Sequence, residues 1–310
     1  MRIAIVGQRD FGKAGLEAFL ARGHTVGAVF CAREKPGTSP DPLRLAAEQR
    51  QIPVHQLASL KTEEAREALR AADADIGIMA YVLQFVPQEF ANLPRHGMIQ
   101  FHPSLLPLYR GPSSINWPII HGDTQTGLTI FRPTDGLDEG PVILQKQTPI
   151  GPDDTLGSVY FDRLFPMGIA ALQEAADLVV NGGAVARVQD ETEASYQGWC
   201  RDEEARINWH NHLDLIHNLI RGCDPTPAAW TLFKGKKLQL HGSSKHPART
   251  FGQVKGAIGA VSAIGDASLF VTAQGGQIEV AKLRYDGGKK LPAPQVCAET
   301  GIEVGSVLGA

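Results

Sequence analysis

The sequence predicts an α/β protein, with a doubly wound, mostly parallel sheet in its first part and a small β-barrel behind it. At the start, an apolar run at residues 2–6, a helical pattern and a second apolar run follow one another, which is the strand–helix–strand order of such a sheet. In the tail, short strand-like runs separated by glycine are typical of a small barrel. A length of 310 residues exceeds one typical domain and suits two. We therefore expect a Rossmann-like domain followed by a barrel domain.

Strands and helices alternate through the first part of the chain. Apolar runs of the kind that form buried parallel strands lie at 2–6, 25–31, 52–55, 76–80 and 98–101. Helical patterns lie between them at 11–22, 41–50 and 62–72, and Asp41 with Pro42 is a helix-start signal for the second. The first turn, from Gly7 to Gly12, lacks the G-x-G-x-x-G spacing that brings backbone against a pyrophosphate. This argues against a nucleotide cofactor there.

From residue 127 the chain continues with two more predicted strands and a long helix, and the tail then consists mainly of short predicted strands. Strand-like runs at 127–132 and 141–145 flank a turn-rich acidic loop, and a long helical pattern covers 156–181. Residues 189–196 are polar and are predicted to be a connection. A helix at 214–222 then precedes five predicted strands, at 228–233, 237–241, 257–263, 268–272 and 277–284. We place the domain boundary so that the domains cover 1–203 and 204–310.

Composition predicts a cytoplasmic globular protein. Hydrophobic residues make up 43% and charged residues 20% of the chain, and a net charge of −3 gives no general attraction to nucleic acid or an anionic membrane. There is no apolar run of about 18 residues to span a bilayer, and the start MRIAIVGQRDFG lacks the layout of a signal peptide. The four cysteines are far apart without a C-x-x-C pair, which indicates reduced structural thiols.

Chemistry-bearing residues concentrate between residues 98 and 150. Gln100 and His102 lie two apart in a strand-like run, so their side chains leave the same face, and Pro103 ends the strand. His102 is thus placed at the carboxyl end of a strand, where sheets of this kind keep ligand crevices. The acidic loop that follows carries Asp135, Asp138 and Glu139. An imidazole and a loop carboxylate that can meet it are the groups needed for general acid–base catalysis.

Two segments of this region resemble the signatures of a known family. HPSLLPLYRG at 102–111 and DGLDEGPVILQ at 135–145 are similar to those of the 10-formyltetrahydrofolate-using formyltransferases. Three segments of the tail resemble the second domain of the two-domain members of this family. They are RINW at 206–209, IRGCDPTPAAWT at 220–231 and GKKLPAPQ at 288–295. Within the family, the resemblance is greatest to the amino-terminal hydrolase domain of 10-formyltetrahydrofolate dehydrogenase. Methionyl-tRNA formyltransferase is the next relative.

The resemblance implies a formyltransferase fold followed by an OB-like barrel, with 10-formyltetrahydrofolate as co-substrate and no metal. His102 and Asp138 match the catalytic positions of the family. Gln100 stands where the family usually has Asn, so the amide is kept but lies one methylene farther out. The pterin would lie against the loop after Ala80 and the Asp138 loop. The candidate folate-contacting residues are Tyr81, Leu83, Gln84, Phe85, Val86, Ser104, Leu105, Leu106, Pro107 and Asp135.

These residue types suit formyl transfer. Attack on the formyl carbon produces a tetrahedral oxyanion, which protonated His102 or the amide of Gln100 could stabilise by a hydrogen bond. Asp138 would relay protons from the attacking amine or water through the imidazole. No metal is required, because the aryl nitrogen already activates the formyl group.

Each assignment has a structural alternative. His102 could be a structural hydrogen-bonder, Gln100 a plain strand residue, and the acidic side chains turn caps. The apolar residues of the loop after Ala80 could belong to the core, and Arg110 could either shape its loop or meet an anionic substrate. His210, His212 and His217 invite a metal site but lack companion ligands at suitable spacing. Lys234, Lys236 and Lys237 could serve tRNA, but the weak positive charge of the tail favours a solvated hairpin.

Four functions remain open from the sequence. The leading hypothesis is an enzyme that transfers the formyl group to an amine or hydrolyses it with water. The others are methionyl-tRNA formyltransferase, a formyltransferase acting on an amino sugar nucleotide, and a folate-binding carrier without activity. The sequence specifies neither the acceptor nor the oligomeric state, because fold alone does not determine function.

Overall fold

The computed structural model of the protein describes residues 1–248 and 256–309. The chain forms two compact units. The first comprises residues 1–111, 127–148 and 163–196, and the second comprises residues 112–126, 149–162 and the chain from 197 onward. The boundary between residues 203 and 204 stays a prediction.

The first unit contains a seven-stranded sheet in the order β3-β2-β1-β4-β5-β6-β7. The strands are β1 Arg2–Gly7, β2 Thr25–Phe30, β3 Val54–His55, β4 Ile76–Ala80, β5 Met98–His102, β6 Gln125–Phe131 and β7 Val142–Pro149. The first five pair in parallel, whereas β6 pairs with β5 antiparallel. The predicted α/β fold with a doubly wound, mostly parallel sheet is confirmed.

Helices cover both faces of this sheet, which is why its strands are apolar without alternation. Over the described residues of both units, the α-helices are α1 Arg9–Ala21, α2 Pro42–Glu48, α3 Glu63–Ala71, α4 Gln88–Ala91, α5 Asn116–His121, α6 Phe165–Val180, α7 Leu213–Gly222 and α8 Ala293–Thr300. In β1, Ala4 and Val6 pack in one cluster with residues of α3 and α4. Ile3 and Ile5 alternate with them and are equally buried, so they lie on the opposite face.

Close packing of α6 fixes the strand that carries His102. Phe101 of β5 stacks on Phe11 of α1 with ring centroids 4.4 Å apart. Gly168 of α6 lies beside the same ring, and a Cβ at this position would lie 2.6 Å from a carbon of Phe101. Only glycine therefore lets α6 approach β5 this closely, and the strand is held in place up to its last residue.

Several predicted boundaries were wrong, for identifiable reasons. The predicted helix at 156–181 is a π-helical segment, Ser158–Leu164, followed by α6. Pro166 has no amide hydrogen, so it interrupts the α-helical hydrogen-bond pattern at that point. The predicted strand at 257–263 begins only at Val261, because Gly259 has a φ of +81°. The short helices α4, α5 and α8 were not predicted.

The second unit contains a six-stranded sheet whose pairings are all antiparallel. Its strands are β8 Trp230–Phe233, β9 Lys236–Pro247, β10 Val261–Ile264, β11 Leu269–Ala273, β12 Gly276–Tyr285 and β13 Leu291–Pro292. The order is β10-β11-β12-β9-β8, and β13 pairs with β12. Ile216 and Ile220 of α7 belong to the same buried cluster as Val271 and Val280 of this sheet. The predicted second β domain is confirmed.

A hydrogen-bonded carboxylate in the second unit gives an acid-sensitive contribution to stability. Asp224 accepts hydrogen bonds from His241 Nδ1 and from the amide of Gly242, each at 2.9 Å. Burial opposes ionisation of Asp224, but these hydrogen bonds outweigh it and hold the pKa of the carboxyl below its usual value. A carboxyl whose pKa is lower in the folded than in the unfolded chain stabilises the fold at pH values above the pKa that it has in the unfolded chain. That contribution is lost as the pH falls through the folded pKa.

We expect Asp224→Ala to lower the free energy of unfolding by about 2–4 kcal/mol at pH 7. The difference from the wild type should shrink as the pH falls below about 4 and through the lower pKa of the folded carboxyl, because protonation removes the contribution of the carboxylate. Urea unfolding of both proteins between pH 3 and pH 7 measures this effect. A difference that is independent of pH would contradict the assignment.

Candidate active site

The candidate site is built on the last residue of β5. His102 ends the strand, and its side chain is 7% exposed. Nδ1 lies 3.5 Å from Asp138 Oδ2, and Nε2 lies 2.9 Å from the carbonyl oxygen of Tyr109. Both ring nitrogens therefore face oxygen atoms that can accept a hydrogen bond.

Asp138 reaches the imidazole from a left-handed position in its loop. Its φ is +54°, a conformation that Asp and Asn adopt more readily than most residues. Oδ2 accepts a hydrogen bond from the amide of Gly111 at 2.9 Å, and Oδ1 lies 3.4 Å from Gln100 Nε2. With only 7% of the side chain exposed, the carboxylate is fixed on three sides by His102, Gly111 and Gln100.

Gln100 takes its place on the same face of β5 as His102. Its backbone pairs with Met79 of β4 and with Phe131 of β6, so the strand is held from both sides. The extra methylene relative to Asn carries its amide nitrogen to Asp138. The structure thus brings the three predicted catalytic residues together, while their catalytic roles stay predictions.

The loop after β4 presents apolar side chains to the surface. Tyr81, Leu83 and Phe85 are 45%, 58% and 51% exposed. Leu137, in the loop of Asp138, is 53% exposed. Gln84 is half-buried, and Val86 is buried in the cluster that contains residues of α3 and α4. Apolar side chains grouped at exposed positions are typical of a binding surface.

The segment after His102 is held by polar contacts within the segment and with side chains of β6 and β7. The hydroxyl of Ser104 is fully buried and donates to the carbonyl oxygen of Leu108 at 2.6 Å. The amide of Leu106 donates to Thr129 Oγ1 at 3.1 Å, and Gln145 Nε2 donates to the carbonyl oxygen of Leu106 at 2.8 Å. Leu105 and Pro107 are half-buried. Ser104 and Leu106 thus fix the shape of the loop.

Of the three acidic residues in the loop, Asp138 is the one that meets His102. Asp135 is exposed and accepts a hydrogen bond from the amide of Gln88 at the start of α4, at 3.1 Å. Glu139 is exposed. Arg110 is buried, and its guanidinium is engaged by Glu191 at 2.6 Å.

The other candidate clusters from the sequence are accounted for by local contacts. His217 is fully buried, with Nδ1 2.9 Å from Ser243 Oγ and Nε2 3.0 Å from the carbonyl oxygen of Pro152. Across residues 1–248 and 256–309, no group of three or more His, Cys, Asp or Glu is arranged to hold a metal ion. Lys236 pairs with Asp286 and Lys237 pairs with Asp202. Within the same described ranges, no helix is long and apolar enough to cross a membrane.

Comparison with protein families gives a direct result. Residues 1–174 match the family described as formyl transferase, and residues 200–300 match the formyl transferase C-terminal domain. The chain belongs to the formyl transferase family. The family match covers β5 and the loop of Asp138, which together form the candidate site.

Curated relatives fall into two groups of different length. The mitochondrial 10-formyltetrahydrofolate dehydrogenase of Homo sapiens is 36% identical over 304 residues, which cover 95% of this chain and 33% of the relative. The cytosolic 10-formyltetrahydrofolate dehydrogenase of Mus musculus is 41% identical over 249 residues. This chain thus spans about a third of the length of those dehydrogenases. The methionyl-tRNA formyltransferase of Geotalea uraniireducens is 34% identical, with 100% of this chain and 98% of the relative covered.

Solved structures share the fold. An N-formyltransferase from Helicobacter canadensis superposes with a TM-score of 0.69 at 20% identity, covering 91% of this chain and 99% of the other. HypX from Aquifex aeolicus in complex with tetrahydrofolic acid has a TM-score of 0.68 at 20% identity, covering 98% of this chain and 48% of the other. At this identity the likeness establishes the fold.

Proposed function

We propose that this protein binds 10-formyltetrahydrofolate and moves its formyl group to an amine or to water, with His102 and Asp138 as catalytic residues. The observation that carries the proposal is the 3.5 Å approach of His102 Nδ1 to Asp138 Oδ2, with both side chains 7% exposed. Relatives that are named for 10-formyltetrahydrofolate and for formyl transfer, at 36% and 34% identity, support it.

The chemistry follows from which groups can donate and accept protons. A lone pair on the amine nitrogen or on the water oxygen forms a bond to the formyl carbon, and the π electrons of the formyl carbonyl move to the formyl oxygen. The bond from that carbon to N10 of the folate then breaks as the carbonyl re-forms. The acceptor loses one proton and N10 gains one. The oxyanion can replace one of the two oxygen atoms that His102 now faces and accept a hydrogen bond from the protonated imidazole, and the amide of Gln100 is a second donor. Asp138 can take the acceptor's proton and return it to N10.

The folate would lie where the predicted contact residues are exposed. Tyr81, Leu83 and Phe85 offer apolar surface on one side, and Leu137 offers it from the loop of Asp138. Thr134 Oγ1, in the same loop, is buried and has no hydrogen-bond partner among the described residues. It borders a cavity of about 450 Å³. An unpaired buried hydroxyl is a suitable partner for a polar edge of the pterin.

Two acceptor classes follow from the relatives. Hydrolysis, with water as acceptor, is supported by the identity to 10-formyltetrahydrofolate dehydrogenases over 95% of this chain. Formylation of a methionyl-tRNA is supported by a relative matched over nearly its whole length. Lys236 and Lys237 weigh against tRNA, because each is paired with a carboxylate within its own unit. A cytoplasmic location is part of the same proposal.

Consumption of 10-formyltetrahydrofolate in the presence and absence of acceptors tests the proposal. We expect steady-state conversion to tetrahydrofolate, and acceptor-free formate release would identify water as the acceptor. Conversion that requires methionyl-tRNA or an amino sugar nucleotide would identify a transferase. Binding of the folate without conversion under any of these conditions would contradict the proposal and indicate a carrier.

The amide of Gln100 gives a prediction of its own. Gln100→Leu keeps the size of the side chain but removes the amide that faces Asp138 and, in the proposed reaction, the oxyanion. We expect kcat to fall about 100-fold, the usual effect of losing one oxyanion donor. Steady-state kinetics measures the loss. A variant with the wild-type kcat would make Gln100 a plain strand residue.

A further inference from the structure

A polar segment that was predicted to be a simple connection runs beside both loops of the candidate site. We call residues 189–196 the strap. It lies between the two family matches, which end at residue 174 and resume at residue 200. The strap belongs to the first unit, as do His102 and Asp138. Its contacts reach the backbone of Asp138 and the loop that follows His102.

Gln189 connects the strap to the loop of Asp138. Its side chain is buried, and Nε2 donates to the carbonyl oxygens of Asp138 at 2.8 Å and Gly140 at 2.7 Å. Oε1 accepts from Nε and Nη2 of Arg110, at 3.2 Å and 2.9 Å. All four hydrogen-bonding positions of the amide are therefore used. A single buried side chain ties the backbone of Asp138 to Arg110.

Arg110 is in turn fixed by the strap. Its Nη1 and Nη2 donate to the two carboxylate oxygens of Glu191, at 2.9 Å and 2.6 Å. The hydrogen bonds from Arg110 lower the pKa of Glu191. A bidentate pair of this kind fixes orientation as well as distance. The guanidinium of Arg110 thus serves the strap, and this supports the loop-shaping alternative for Arg110 over contact with an anionic substrate.

Ser195 connects the strap to the loop of His102. Its hydroxyl accepts a hydrogen bond from the amide of Tyr109 at 2.8 Å, and its backbone amide donates to the carbonyl oxygen of Pro107 at 3.1 Å. Tyr109 has a φ of +58°, a conformation that needs support from its surroundings. The carbonyl oxygen of Tyr109 is the acceptor that faces His102 Nε2. The strap therefore also holds the group that orients the imidazole.

We propose that the strap sets His102 and Asp138 in their mutual geometry, with Gln189 as a positioning residue. This role rests on the proposed function, because it concerns the same two side chains. Gln189 touches neither reacting group; it acts through the backbone of Asp138. A displacement of about 1 Å between catalytic groups can cost about 100-fold in rate, so a buried anchor of this loop has a measurable effect.

The substitution Gln189→Glu separates the two halves of this contact. A carboxylate oxygen can still accept from Arg110, but it has no hydrogen to donate to the carbonyl oxygens of Asp138 and Gly140. We expect kcat to fall roughly 10- to 100-fold. The matched control is Glu193→Gln, an exposed position in the same strap, which should keep the wild-type kcat. Thermal unfolding of both variants checks that the fold persists.

Combination with Asp138→Asn distinguishes positioning from general destabilisation. If Gln189 acts through Asp138, Gln189→Glu should lower the single-turnover rate of the Asp138→Asn protein by less than about threefold. A double variant slowed by the product of the two single effects would overturn the inference.

Hydrogen exchange gives a second readout that needs no activity. The amide of Gly111, which donates to Asp138 Oδ2, should exchange about tenfold faster in Gln189→Glu, whereas the amide of Leu106 should not change. Unchanged exchange at Gly111 would overturn the inference. Faster exchange at Gly111 in Gln189→Glu, together with a wild-type single-turnover rate in Asp138→Asn, would overturn the proposed function. The strap would then hold the loop of Asp138 in place without affecting catalysis.

Discussion

Replacing His102 with asparagine should lower kcat for 10-formyltetrahydrofolate about 1000-fold, while the dissociation constant for the folate changes by no more than about threefold. The imidazole is the group that faces Asp138 Oδ2 at 3.5 Å, and an amide cannot take up and release protons in its place. The pterin contacts proposed for the loops are not altered, so binding should persist. Steady-state kinetics and equilibrium folate titration measure the two quantities separately.

The control for this prediction is His210→Asn, which changes an exposed histidine of the second unit. It should retain the wild-type kcat. If His102→Asn kept more than about a tenth of the wild-type kcat, acid–base catalysis by His102 would be wrong, since such groups contribute at least about 100-fold. A large loss of folate affinity would instead assign His102 to binding.

Replacing Asp138 with asparagine should lower kcat by about 100- to 1000-fold. Asparagine tolerates the φ of +54° found at this position, so the backbone of the loop should be preserved. The amide oxygen can still accept from Gly111, but the negative charge next to His102 is lost. The comparison of kcat with folate affinity separates loss of catalysis from loss of binding.

Glu139→Gln is the matched control, because it removes one negative charge from the adjacent, exposed position of the same loop. It should change kcat by less than about threefold, as expected for an exposed charge. Equal losses in Asp138→Asn and Glu139→Gln would mean that the general charge of the loop, rather than the carboxylate facing His102, matters for the reaction.

The local sequence pattern was sufficient to predict the strand that carries the candidate site. A spacing of two residues places Gln100 and His102 on one face, and Pro103 ends the strand after them. In the structure both side chains approach the same carboxylate, at 3.4 Å and 3.5 Å. The choice of Asp138 among three acidic residues depended on the family resemblance, because all three lie in one turn-rich segment.

The contacts of the strap could not be predicted from the sequence, because they join residues that are far apart in the chain. Gln189 is 51 residues away from Asp138 in the chain, and Arg110 is 79 residues away from Gln189. Gln189 lies in a polar segment, and the composition of such a segment is that of an exposed connection. Hydrophobic periodicity therefore does not predict that its side chain is buried. The π-helical segment before α6 was missed for a similar reason, because Pro166 changes hydrogen bonding without changing the apolar pattern.

The most direct test of the central claim is a single turnover of 10-formyltetrahydrofolate with the wild-type protein in excess. The proposed function predicts first-order conversion of the bound folate to tetrahydrofolate, with a rate constant that saturates as the protein concentration rises. The formyl group should be recovered quantitatively as formate or on an added amine. Recovery of 10-formyltetrahydrofolate unchanged from its complex with the protein, with and without acceptors, would contradict the claim.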